Sequence, residues 1–97
     1  MYNEVNRWED DDYCLLLEDQ QGFLFAHCYV YEEKLSTMKK IKKVCKEVLE
    51  WAYSEGYDGV HTYTENKKFA ETLPNARHLE DFEEGGRLFG VYKWELK

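Results

Sequence analysis

Hydrophobic and polar positions recur with a helical period in the middle of this chain. At about 100° per residue, the apolar side chains of residues 37–54 gather in one arc about 160° wide. They are Met38, Ile41, Val44, Cys45, Val48, Leu49, Trp51 and Ala52. Ser36 or Thr37 suits the N-cap, and Gly56 suits the position just past the last turn. The pattern predicts an amphipathic helix over residues 37–54, with lysines on its outer side.

Short apolar or alternating runs on both sides of this helix predict β-strands. These runs cover residues 13–18, 23–31, 60–65, 77–82 and 87–96. A short second helix is predicted over residues 67–73, with Asn66 as its cap and Pro74 at its end. Because the long helix connects the second of these strands to the third, we expect a right-handed crossover in which those two strands are parallel.

The resulting order, ββαβαββ, indicates an α/β (α+β) fold with a mixed, mostly antiparallel sheet. The 97 residues are enough for one domain but not for two. We therefore assign residues 1–97 to a single domain and expect the least order in residues 1–11. Three Trp, eight Tyr and five Phe supply the bulky side chains that the core of a small domain needs.

The charges are distributed unevenly along the chain. The net charge is −7, yet residues 34–46 contain six lysines and no acid, and the other seven basic and 20 acidic residues sum to −13. A chain this acidic repels phosphate backbones, so nucleic-acid binding is not expected. The lysine segment has two interpretations. It is either a solvated face that balances an acidic protein, or an anion-binding site at the start of the helix.

Cysteine and apolar content indicate the compartment and exclude several kinds of site. Three cysteines without paired spacing indicate reduced thiols, and the sequence contains no recognisable signal peptide or membrane span. These features predict a soluble cytoplasmic protein. No His or Cys pair has the spacing of a metal site, and no Ser-His-Asp, P-loop or dinucleotide fingerprint is present. We expect no bound metal.

The strand predicted at residues 23–31 is apolar on both of its faces. Alternation places Phe23, Phe25, Tyr29 and Tyr31 together on one face. If no helix covers that face, the exposed apolar patch exceeds what monomeric proteins usually show. A protein partner or a homodimer is then expected to cover these four side chains.

Several stretches of the sequence resemble the GNAT (Gcn5-related N-acetyltransferase) family. Residues 46–57 (KEVLEWAYSEGY) look like the third GNAT helix running into the next strand. Asn66, followed by Phe69 and Ala70, looks like the opening of the helix after that strand. The ending at residues 91–95 (VYKWE) is similar to small GNAT-like proteins encoded by bacteriophages. The resemblance implies a GNAT-like fold and, for a phage protein, a place in the host cytoplasm.

The sequence also departs from the pattern of GNAT enzymes. Those enzymes hold the acyl-CoA pyrophosphate in a glycine-containing loop at the start of this helix, whereas residues 33–41 (EKLSTMKKI) contain no glycine. Many of them carry a Tyr on the short helix that protonates the CoA thiolate, and Leu73 occupies that position here. The first strand–helix–helix segment of the family is missing. His27 or Glu32 remains as the candidate general base.

Resemblance and departures together predict a truncated GNAT-like domain that does not transfer acetyl groups and acts by binding, as a phage accessory or host-interaction protein. No cofactor is expected for that function. The alternative is a minimal acetyl-CoA-dependent N-acetyltransferase with His27 or Glu32 as its base. The residues that would hold acetyl-CoA are then Ser36, Thr37, Lys39, Lys40, Lys43 and Asn66.

Overall fold

The structure is a computed structural model that describes residues 3–71 and 73–95. Its elements are β1 (Glu4–Glu9), β2 (Tyr13–Gln20), β3 (Phe23–Val30), α1 (Leu35–Ser54), β4 (Val60–Thr64), α2 (Lys67–Glu71), β5 (Arg77–Glu84) and β6 (Arg87–Trp94). The strands form one sheet in the order β1-β2-β3-β4-β6-β5. Within this described sheet, β3 and β4 are parallel and all other neighbours are antiparallel. The mixed, mostly antiparallel sheet expected from the sequence is confirmed.

Strand β1, at one edge of the sheet, is not predicted by the sequence pattern. Val5 and Trp8 both pack against the core although they lie three residues apart. A β-bulge shifts the register between Glu4 and Asn6 and allows this. The bulge interrupts the two-residue alternation by which a strand is recognised. The order ββαβαββ expected from the sequence is therefore one strand short.

Helix α1 begins two residues earlier than predicted. Its N-cap is Lys34, which has an extended backbone (φ −148°, ψ 162°) and no side-chain capping bond, so the predicted cap at Ser36 or Thr37 is wrong. Thr37 is buried in the first turn, and its hydroxyl has no hydrogen-bond partner among the described residues. A side chain packed inward in this way is not placed to cap the helix. The predicted end is confirmed, because Gly56 has a φ of 93° just after the last turn.

Helix α2 has the cap that the sequence predicts. The Oδ1 atom of Asn66 accepts the backbone N–H of Phe69 at 3.2 Å. The helix ends at Glu71, and Leu73 turns into the core. Thr72, inside the predicted helix, and Leu96, at the predicted end of the last strand, lie outside the described residues.

The core lies between one side of the sheet and the two helices. Helix α1 contributes the inner part of its apolar arc, and the strands contribute alternate residues. The buried members are Tyr13, Leu15, Leu17, Leu24, Ala26, Ile41, Cys45, Val48, Leu49, Ala52, Val60, Leu73 and Trp94. Each fully buried Val or Leu side chain contributes about 1.5–3 kcal/mol. This packing fixes β3, β4 and the start of α1, the three elements around which the site is built.

Candidate ligand-binding cleft

Strands β3 and β4 are parallel neighbours that separate after a single point of contact. Phe25 and His61 form the one register pair that joins them in the described sheet. The Nδ1 atom of His61 also lies 3.3 Å from the Leu24 carbonyl oxygen. This contact helps to hold the two strands together at this end. Beyond it, residues 26–30 and 62–64 face each other without register pairs. Their facing edges therefore have peptide groups that no neighbouring strand satisfies.

The separation of the two strands opens a cleft of about 380 Å³. Strand β3 forms one wall, β4 and the start of α2 form the other, and the start of α1 closes one end. The lining residues are Ala26, His27, Cys28, Tyr29, Val30, Glu33, Met38, Thr62, Tyr63, Thr64, Asn66 and Phe69. The volume is in the range of small-molecule sites, and the lining combines apolar and aromatic side chains with several polar ones.

His27 is held in the cleft by a carboxylate. Its Nε2 atom lies 3.3 Å from Oε1 of Glu18, whose carboxylate also accepts a hydrogen bond from the Gln20 side chain. The bond from Gln20, followed by that from His27, lowers the pKa of Glu18, which is therefore ionised at neutral pH. The edge of the His27 ring also meets Tyr63, with the ring centroids 5.6 Å apart. The imidazole is thus oriented by two neighbours.

Cys28 also lines the cleft but is a poor nucleophile. Burial, together with the nearby Cys14, raises the pKa of the Cys28 thiol to about 11. The thiol is therefore protonated at neutral pH, and the thiolate is the reactive form.

The predicted acyl-CoA residues occupy different places around α1. Lys40 donates to Asp12 at 2.9 Å and to Asp10 at 3.2 Å, which ties the helix to the turn between β1 and β2. These bonds, led by that to Asp12, raise the pKa of Lys40. Lys39 and Lys43 are exposed and form no ion pair with any described residue. Those two lysines, rather than Lys40, are able to meet an anion.

The other predicted site residues are divided between the cleft and its surroundings. His27 and Asn66 both line the cleft, although the Asn66 side chain also caps α2. Ser36 is exposed and Thr37 is buried in the first turn of α1. Glu32 lies in the loop before α1, with a carboxylate oxygen 3.7 Å from the Lys34 ammonium group, and is not part of the cleft lining.

Three important residues of the site are not identified by the sequence analysis. They are Glu18, Cys28 and Tyr63. Alternation along β4 offers a signal for Tyr63, since it lies two residues after His61 and therefore on the same face. The pairing of Glu18 with His27 depends on the register of the β2–β3 hairpin, which puts Leu16 opposite His27 and Phe25 opposite Glu18.

The side of the sheet opposite the helices, which we call the open face, carries an aromatic cluster. Phe23 and Tyr29 on β3 and Tyr31 just beyond it are each more than half exposed, and Phe25 is partly buried among them. Tyr63 lies at the centre of the cluster. Its ring contacts those of Phe25, His27, Phe82 and Phe89, with centroid distances of 5.6–6.3 Å. No described helix covers these rings, as both helices pack on the other side.

Comparison with protein families, with curated proteins and with solved structures finds no match to this chain. Neither described helix is long and apolar enough to cross a membrane. Among the described residues, no group of three or more His, Cys, Asp or Glu side chains is arranged to hold a metal ion. The geometry of the cleft and of the open face therefore carries the functional argument.

Proposed function

We propose that this chain is a GNAT-like binding domain whose cleft between β3 and β4 holds an extended ligand of the acyl-CoA class without transferring its acyl group. The separation of two parallel strands after the Phe25–His61 pair carries this proposal. It creates a slot whose edges have unpaired peptide groups. An amide-bearing arm such as that of acyl-CoA can hydrogen-bond to such edges as an added strand does.

The start of α1 is consistent with a ligand that has an anionic group at this end of the cleft. This helix end closes the cleft through Met38, and the preceding loop contributes Glu33. The first turn has no side-chain cap and no acidic residue. The Thr37 N–H already donates to the Lys34 carbonyl, so the N–H groups of Leu35 and Ser36 and the positive dipole end are the parts that an anion can meet. Lys39 and Lys43 add two exposed ammonium groups in the first turns of the same helix, outside the cleft lining. A pyrophosphate at this end would meet N–H donors and lysines, but also the Glu33 carboxylate and no glycine loop.

The chemistry available in the cleft supports binding rather than transfer. Leu73, at the position where many GNAT enzymes have a proton-donating Tyr, is buried in the core. Cys28 is protonated at neutral pH, because its pKa is raised to about 11. The strand–helix–strand crossover and the Asn66-capped α2 are the features that support the GNAT-like assignment.

A minimal N-acetyltransferase is the second candidate function, and His27 is the observation that favours it. The imidazole lines the cleft and is held by the ionised Glu18. An oriented imidazole of this kind can accept a proton from an attacking amine. Glu32, the other predicted base, lies outside the cleft lining.

Calorimetric titration with acetyl-CoA and with free CoA tests the proposed binding. We expect micromolar affinity, weakened at least about tenfold in the Lys39→Glu/Lys43→Glu variant, because both substitutions place carboxylates beside the anionic end. The Lys42→Glu/Lys46→Glu variant is the matched control, with the same change in net charge and the same spacing but shifted three residues, somewhat less than one turn, along the helix. Absence of binding at millimolar acetyl-CoA, or equal loss in both variants, would contradict the proposal.

Release of CoA in the presence of amines, followed with a thiol reagent, separates the two candidate functions. The binding proposal expects no release above the rate without protein. Release that disappears in His27→Gln while acetyl-CoA still binds would instead establish the minimal acetyltransferase. That substitution keeps a polar side chain of similar size but removes the proton acceptor.

A further inference from the structure

We propose that the open face of the sheet joins two copies of this chain in a two-fold symmetric dimer. The inference goes beyond the ligand-binding cleft and does not depend on what that cleft binds, but His27, Tyr29 and Tyr63 belong to both surfaces. It is based on the area of the open face, the arrangement of its rings and the pairing of its charges.

The open face has the area that a stable dimer needs. Six strands of five to eight residues, about 4.8 Å apart and with a rise of about 3.3 Å per residue, form a surface of roughly 700 Å². The whole molecule measures 36 × 32 × 29 Å, so this face is one of its largest surfaces. A standard protein–protein interface buries about 800 Å² on each partner. A second copy of the same face therefore matches it in size.

The rings of the open face are arranged as in the centre of an interface. Tyr63 is 38% exposed and is surrounded by four other rings, while Phe23 and Tyr29 are more than half exposed. Interface centres are enriched in aromatic residues, and a few of them dominate the binding energy. A two-fold axis close to Tyr63 would place the aromatic cluster of one copy against that of the other. In such a dimer, a substitution in the cluster changes the interface at two places, one in each copy.

Charge decides between a second copy and a basic partner. Three basic side chains at the open face are paired with acids next to them: Arg7 with Glu4, Arg87 with Glu65, and Lys93 with Asp58. Glu18, the acid near the aromatic centre, is mostly buried, accepts a hydrogen bond from Gln20 and lies against His27. A basic partner requires unpaired acids at the centre of the face, whereas the exposed Glu80 and Glu84 lie on the edge strand β5. A locally compensated face lets two chains of net charge −7 approach each other without strong repulsion.

Sedimentation equilibrium on the wild-type chain and three arginine variants tests the dimer. We expect a wild-type mass of twice 11.7 kDa at submillimolar concentration. Tyr63→Arg should raise the dimer dissociation constant at least about 30-fold, since it puts two cations at the aromatic centre. Phe23→Arg, at the exposed end of β3, is the second variant in case Tyr63→Arg does not fold, and circular dichroism checks both. Leu35→Arg is the control, because Leu35 is 73% exposed at the start of α1 and away from the open face.

A dimer that persists in Leu35→Arg and dissociates in the folded Tyr63→Arg or Phe23→Arg variant supports the proposal. A wild-type chain that stays monomeric at submillimolar concentration overturns it, and so does a dimer that neither open-face variant weakens. A monomer that binds poly-lysine, with binding lost in Phe23→Arg, overturns the second copy in favour of a basic partner.

Discussion

One buried hydrogen bond fixes the strand that forms the second wall of the cleft. The Trp94 indole Nε1–H donates to the Thr62 hydroxyl at 2.9 Å, and both side chains are buried. The bond ties β4 to β6, while the side of β4 that faces β3 is left without register pairs beyond His61. The cleft therefore exists because β4 is paired along its length with β6 but joined to β3 by only one register pair in the described sheet.

Replacing Thr62 by Val should destabilise the protein. Val has nearly the same shape but leaves the buried indole N–H without an acceptor, which costs about 1–3 kcal/mol. Urea unfolding measures the change. Thr64→Val is the matched control, because the Thr64 hydroxyl accepts an exposed N–H, that of Asn66, and its loss should cost less. If both substitutions lower the free energy of unfolding equally, the hydrogen bond to Trp94 does not stabilise the protein more than the exposed bond does.

At the scale of an element, the sequence predicts α1 well in its body and poorly at its start. The 3.6-residue recurrence of apolar side chains is strong over five turns, and the buried residues of α1 are part of the predicted arc, with Thr37 as the one addition. The start depends instead on which way Thr37 packs, which is a property of the folded core. Strand β1 is not predicted from the sequence for a related reason. Its bulge breaks the two-residue alternation by which a strand is recognised.

The uncapped start of α1 predicts that Lys34→Ser will stabilise the protein. Lys34 already has the extended backbone of an N-cap residue but makes no side-chain cap bond. A Ser hydroxyl there can accept a first-turn N–H, which is worth about 0.5–2 kcal/mol. Thermal unfolding measures the gain. Lys46→Ser, the same replacement inside the helix, should lower stability by a few tenths of a kcal/mol, roughly 0.5 at most. A lower melting temperature for Lys34→Ser would contradict this view of the helix start.

At the scale of the whole molecule, carboxylates from separate elements make stability depend on pH. The pKa of Asp19 is lowered by the hydrogen bond from the Tyr57 hydroxyl and then by the Gly22 N–H, and the pKa of Asp10 is lowered chiefly by the Asp12 N–H. Because folding lowers these values, the stabilisation is present above the unfolded pKa, near 4. It is lost as the pH falls through the lower folded values.

Urea unfolding at several pH values between neutrality and about pH 3 tests this linkage. The wild-type chain should lose stability as the pH falls below about 4. In Tyr57→Phe the loss should be smaller, because the leading cause of the Asp19 shift is removed. Tyr92→Phe, a half-buried Tyr outside this pair, is the control and should keep the wild-type profile. A pH profile unchanged in Tyr57→Phe would contradict the assignment to Asp19.

The cleft could not be predicted from the sequence, and the reason is geometric. Its walls come from β3 and β4, which are separated by the whole of α1, and it depends on how far those strands diverge after Phe25 and His61. Local patterns place His27 and Asn66 on neighbouring elements but contain no information on that divergence. The open face is different, because alternation along β3 already gathers Phe23, Phe25 and Tyr29 on one side.

Chemical-shift mapping by NMR during titration with acetyl-CoA tests the central claim, that the cleft between β3 and β4 is the working site of this protein. The amide signals of residues 26–30 and 62–64, whose peptide groups edge the cleft, should shift together with those at the start of α1. Signals of the distant β5–β6 turn should not move. Shifts confined to the outer lysine face of α1, or no shifts at saturating ligand, would contradict the claim.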